Sequence, residues 1–192
     1  PLENLTLIQD FYDFALRAMV QHHDQTAPLA LCMPSISGKS TLARRLPDHL
    51  VDIDTLPNKI ERQQLDSLVE EALATSKWHR VNSLWSRIIH QKSLKYKILL
   101  AHSPEQLPPY YRFYVVNTPL HPYIKEVHDP VRKAIAPQNR KALGRYKISH
   151  PDNYFFFTRP HLVYKFVTHV ITNPGLSVSV NAPRFWYYSL RT

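Results

Sequence analysis

Short apolar runs alternate with longer amphipathic stretches along most of the chain. Pro28-Leu29-Ala30-Leu31-Cys32-Met33 is too brief for a helix and stops at a turn signal, which predicts a fully buried parallel strand. His49-Leu50-Val51-Asp52-Ile53-Asp54 predicts a second strand, ending in carboxylates. Lys97-Ile98-Leu99-Leu100-Ala101 and Arg112-Phe113-Tyr114-Val115-Val116 predict two more, parted by a Pro-containing loop. Leu176-Ser177-Val178-Ser179-Val180, with its alternating character, predicts a last one.

Helical spacing fills the intervals. Leu5, Ile8, Tyr12, Ala15, Leu16 and Met19 share one face of a predicted helix over 2–22. Leu42 and Leu46 lie one turn apart after Lys39. Residues 61–93 read as helix in one or two pieces, with Leu65, Leu68 and Val69 on one face and Trp78, Val81, Trp85, Ile88 and Ile89 on another. Residues 160–172 predict a final helix. Strands alternating with helices predict the α/β class, as a three-layer α/β/α fold with a mostly parallel five-stranded sheet preceded by an N-terminal helix.

One domain accounts for residues 1–192. It divides into an N-terminal helix (1–26), a core (27–118), a basic and irregular region (119–151) and a C-terminal helix, strand and aromatic tail (152–192). The region 119–151 carries Lys125, Arg132, Lys133, Arg140, Lys141, Arg145 and Lys147 and is too long for a simple connector. The tail Phe185-Trp186-Tyr187-Tyr188 is suited to covering core or a partner surface.

With 44% hydrophobic and 20% charged residues the composition is that of a folded chain rather than a disordered one. No apolar run is long enough to cross a bilayer, and no basic-then-apolar leader opens the chain, so a membrane partner is not expected. The chain begins at Pro1, consistent with a domain of a larger polypeptide or assembly. A single cysteine, Cys32, sits in an apolar run and cannot form an internal disulfide, which suits the cytoplasm or another reducing compartment, a virion-associated protein included. The net charge of +9 points to an anionic partner, a nucleotide or a nucleic acid, although charge alone also serves solubility.

Between the first strand and its helix lies Pro34-Ser35-Ile36-Ser37-Gly38-Lys39-Ser40-Thr41. A loop of this kind presents successive backbone N–H groups, ending at a helix, to phosphate oxygens. Ser35, Ile36, Ser37, Gly38, Lys39, Ser40 and Thr41 would hold the nucleotide. Lys39 would reach the β and γ phosphates, and Ser40 would ligand magnesium. The pattern asks for glycine five positions before Gly38, where this chain has Met33. The bland alternative is a chance Gly-Lys-Ser-Thr with Ser37 as a helix N-cap.

Met33 to Ala43, together with Val51-Asp52-Ile53-Asp54, resembles the P-loop kinase superfamily of nucleoside, nucleotide and polynucleotide 5′-kinases. The resemblance implies a magnesium-dependent phosphotransferase using ATP or another NTP. It implies that Asp54, with Asp52 as the second choice, takes the acceptor's proton or helps hold magnesium. It further implies a mobile basic lid, matched in order by Arg132 to Arg145, with Arg140 and Arg145 as charge-stabilising residues or else members of a solvated basic face. The metal set is then Ser40, Asp52 and Asp54, and the catalytic set Lys39, Asp54, Arg140 and Arg145.

His102 follows the third strand, on the side of the sheet where such folds bind ligands, and is a further pocket candidate. Trp78, Asn82 and Trp85 fit either an acceptor pocket or ordinary core. The histidines lack the companions of a zinc site, and no hydrolase nucleophile motif is present. Two rivals stay open beside the transferase. One is an NTP-binding or NTPase module of a larger assembly, the other a basic RNA-binding domain on the same fold.

Overall fold

The computed structural model describes residues 27–92, 97–121 and 128–172. Its elements are β1 (Leu29–Cys32), α1 (Lys39–Arg45), β2 (Leu50–Asp52), α2 (Lys59–Thr75), α3 (His79–Lys92), β3 (Ile98–Ala101), β4 (Arg112–Asn117), α4 (Pro130–Gly144), α5 (Tyr146–Ser149), β5 (Tyr154–Phe156) and α6 (Pro160–Thr172). Short 3-10 turns cover Ile53–Thr55, Pro104–Gln106 and Pro151–Asn153.

All pairings in the five-stranded sheet are parallel, in the order β2-β3-β1-β4-β5. Alternation along each strand sends side chains to two separate cores. Ala30, Cys32, Leu99, Ala101 and Val115 pack against α2 and α3 through Leu65, Ala72, Leu84, Trp85 and Ile88. Leu29, Leu31, Met33, Leu100, Tyr114 and Val116 pack on the opposite face against α1 and α6 through Leu42, Val163, Phe166 and Val167. Helices therefore cover both faces of the sheet. Leu31, Leu99, Leu100 and Val115 are fully buried, each contributing roughly 1.5–3 kcal/mol of transfer free energy.

Local chemistry sets the helix ends. Asn58 and Glu61 form a reciprocal capping box at the start of α2, and Ser76 closes that helix in the left-handed conformation. Asp129 caps α4 by accepting from the N–H groups of Val131 and Arg132, and Pro130 occupies the first helical position, where no donor is needed.

One expectation is corrected. Much of the basic region expected to be irregular is helix, opened by the Asp129-Pro130 start signal and continued despite Pro137 within it. The fifth strand of the described sheet is Tyr154–Phe156, bonded to β4, a three-residue aromatic run too short to show alternation. The expected N-terminal helix, the strand at Leu176–Val180 and the aromatic tail lie outside the described residues. Among those described, no helix is long and apolar enough to cross a membrane.

β1 is central, with β3 on one side and β4 on the other. The chain leaves β1 toward one edge of the sheet and later returns to build the other. This reversal opens a crevice outside the carboxyl end of β1, the place where open α/β sheets take ligands. The Pro34–Gly38 loop emerges there.

Candidate functional site

A cavity of about 650 Å³ occupies that crevice. It is lined by Ser35 through Leu42, by Asp54, His102 and Arg132, and by Arg45, Pro160, His161, Val163 and Tyr164. Its cationic side chains, Lys39, Arg45 and Arg132, face a single carboxylate, that of Asp54. Such a lining suits an anion.

Met33 does not act as a loop residue. Its N–H donates to Ala101 O at 2.9 Å, continuing the β1 ladder, and its side chain is fully buried in the α1–α6 core. The turn is made further on, where Ile36 (φ 57°) and Gly38 (φ 87°) both adopt left-handed backbone. Gly38, not Ser37, is the N-cap of α1, and no side chain caps the helix. Ser37 Oγ is buried without a hydrogen-bond partner. The alternative of Ser37 as a cap therefore has no support in the geometry.

Lys39 is only 5% exposed, and its Nζ donates to Met33 O at 3.2 Å and Pro34 O at 3.0 Å. Burial lowers its pKa, against the opposing pull of Asp54 and Asp52. Ser40 Oγ donates to Asp52 Oδ2 at 2.8 Å. Asp52 is buried, and its other oxygen accepts the Asp54 N–H at 3.2 Å, so the strand end itself aims the carboxylate at Ser40.

Asp54 faces the cavity with Oδ1 at 3.1 Å from His102 Nε2. Burial pushes its carboxyl up, but the hydrogen bond and charge of His102, with Lys39 and Arg132 beyond, hold it well below the usual carboxylate range. His102 is fixed by its own N–H donating to Gln106 Oε1 at 3.1 Å and by its ring lying 6.5 Å from that of Trp85. Arg62 donates to the Asp54 carbonyl and lies over Trp85 at 5.9 Å.

The arginines separate. Arg132 lines the cavity from the first turn of α4, with Asp129 at 3.6 Å. Arg140 does not line it. Its Nε donates to Thr118 O (2.8 Å), Nη1 to Ser35 O (2.7 Å) and Ala136 O (3.1 Å), and Nη2 to Ile36 O (2.7 Å). Arg145 is exposed at the junction of α4 and α5, away from the cavity. Trp85 is buried in the α2–α3 core, Trp78 packs against the same cluster, and neither they nor Asn82 reach the cavity.

Arg45, His161 and Tyr164 are cavity residues that sequence reasoning did not single out. The only available signal was the start of the 160–172 helix beside a basic α1 terminus, which names no chemistry.

Among the described residues, no three or more His, Cys, Asp or Glu side chains cluster so as to hold a metal by themselves. The oxygen-only set of Ser40, Asp52 and Asp54 still fits magnesium, a hard cation that takes one or two carboxylates and fills its shell with water and phosphate. No protein-family model matches the chain, and no curated protein is significantly similar to it in sequence.

Proposed function

We propose that the chain is a P-loop kinase-like, magnesium-dependent phosphotransferase. It would move the γ-phosphoryl group of ATP or another NTP to a nucleotide, nucleoside or nucleic-acid 5′ acceptor. One observation carries the reading. The loop Ser35–Thr41 and Asp54 line a single cavity at the carboxyl end of the central strand, where Ser40 is bonded to the buried Asp52.

Phosphoryl transfer asks for positioning and charge stabilisation more than for covalent chemistry. Lys39 exchanges its two loop carbonyls for β and γ phosphate oxygens. Ser40 and Asp52 would hold a magnesium ion, which would supply neutralisation of phosphate charge. Asp54, kept ionised, accepts a hydrogen bond from the acceptor hydroxyl and orients it toward phosphorus; its depressed pKa suits orientation better than strong base catalysis. Arg132 supplies positive charge from α4. The bond from acceptor oxygen to γ-phosphorus forms as the bond from γ-phosphorus to the β–γ bridging oxygen breaks, the nucleoside diphosphate leaves, and the hydroxyl proton passes to water.

The NTP-binding or NTPase module is favoured by one specific feature. Asn139 Oδ1 occupies the Ser35 N–H at 3.2 Å, so one loop donor is already engaged. Incubation with γ-labelled ATP, magnesium and a panel of nucleosides, nucleotides and 5′-hydroxyl oligonucleotides separates the readings. Label in an acceptor supports transfer, and label in inorganic phosphate alone supports the module. A chain that neither binds nor turns over NTP, yet binds RNA with a steep salt dependence, would be a basic RNA-binding domain.

A further inference from the structure

Arg140 lies off the cavity, yet it grips the loop that lines it. Its guanidinium joins Ser35 O and Ile36 O, at 2.7 Å each, to Thr118 O at the end of β4. Asn139, the preceding residue of α4, takes the Ser35 N–H. Two neighbouring helix residues thus fasten two consecutive loop residues to the sheet.

The gripped residue is unusual. Ile36 is β-branched and has φ 57°, a conformation that crowds its Cβ against the backbone and that glycine adopts freely. The whole chain contains three glycines, and in this loop only Gly38 supplies that freedom.

We infer that Arg140 is a positioning residue whose planar fork keeps Ile36 left-handed and the loop concave, ready for phosphate. For its effect on affinity this rests on the nucleotide-binding reading above; for its effect on the ligand-free chain it does not. Without the fork, Ile36 relaxes, and a bound phosphate must restore the strained backbone. A glycine at that position leaves no strain to restore. Lysine keeps the charge but cannot bridge two carbonyls in a fixed plane, so Arg140→Lys separates the fork from the field.

The test is a double-mutant cycle with Mg·ATP affinity and melting temperature as readouts. Arg140→Lys should weaken Mg·ATP about tenfold in the parent chain and no more than about twofold in the Ile36→Gly background. In the ligand-free chain Ile36→Gly relieves strain only while the fork enforces it. Its effect on the melting temperature should therefore be more favourable with Arg140 present than in the Arg140→Lys background. Equal effects in both backgrounds overturn the inference. A parent chain that binds no ATP overturns the proposed function, and the ligand-free arm then decides the brace alone. Should Arg140→Lys fail to fold, Ile36→Gly and Ile36→Ala in the parent chain decide. Strain at φ 57° requires glycine to melt higher than alanine, and the opposite order sinks the proposal.

Discussion

Ser40 and Asp52, twelve residues apart in sequence, meet at 2.8 Å where α1 begins and β2 ends. The serine hydroxyl donates and the carboxylate accepts. Replacing Asp52 with asparagine keeps a hydrogen-bond acceptor for Ser40 but removes the charge a divalent cation needs. Asp52→Asn should therefore weaken Mg·ATP while leaving magnesium-free ATP affinity nearly unchanged. Calorimetry with and without EDTA checks this, and equal losses in both conditions would contradict the assignment.

On the proposed reading Lys39 would pair with phosphate, so the ligand-induced stabilisation should vanish in Lys39→Ala. At ATP about 100 times above Kd, binding adds about 2.7 kcal/mol. For a domain of this size that is a rise of roughly 5–10 °C in melting temperature. An undiminished rise in the variant would remove Lys39 from the site.

The ionised state of Asp54 links stability to pH. Its folded pKa lies below the unfolded value of about 4, so its contribution is present above that value and is lost as pH falls toward the folded one. Urea unfolding between pH 5 and pH 3 (roughly the upper part of this window) should show the parent losing stability faster than Asp54→Asn. The difference should reach at most about 1.4 kcal/mol per pH unit. Parallel curves would mean that His102, Lys39 and Arg132 do not hold the carboxylate in its ionised form. In the labelling assay, Asp54→Asn should slow transfer by about 10²–10⁴ with ATP affinity within a few-fold.

The two ends of α4 should respond differently to ligand. Its distal turns are tied to the loop through Asn139 and Arg140, whereas Val131 and Arg132 are exposed. Hydrogen exchange with Mg·ATP should slow over residues 130–136 and change little over 139–144. Uniform protection along 130–147 would instead describe a lid that closes as one body.

Much of this was legible because the relevant signals are local. β1 to β4 are apolar runs bounded by Gly, Pro or polar turns, and the 160–172 helix agrees with α6 (Pro160–Thr172) to the residue. β5 was not legible, since Tyr154–Phe156 is shorter than the window in which a period can be seen. The grouping of Lys39, Ser40 and Asp54 about one crevice followed from strand and loop order. The role of Arg140 did not: a guanidinium meant for phosphate and one bound to main-chain carbonyls read identically in sequence, and only the tertiary placement of α4 beside the loop decides which it meets. Trp85 shows the same ambiguity for aromatics. Packed beneath His102 in the α2–α3 core, it makes Trp85→Ala a stability lesion of about 3–5 kcal/mol.

The strand order also dictates when the crevice can exist during synthesis. Ile36 leaves the ribosome 104 residues ahead of the arginine that fastens it, and β1 gains its second flanking strand only when Arg112–Asn117 has followed. At about 5–20 residues per second the loop spends some seconds translated but not yet held by Arg140. A nascent chain stalled before residue 140 would present the complete loop motif without the guanidinium that grips Ser35 and Ile36, so ribosome-bound intermediates should acquire nucleotide affinity in a late step rather than in proportion to length.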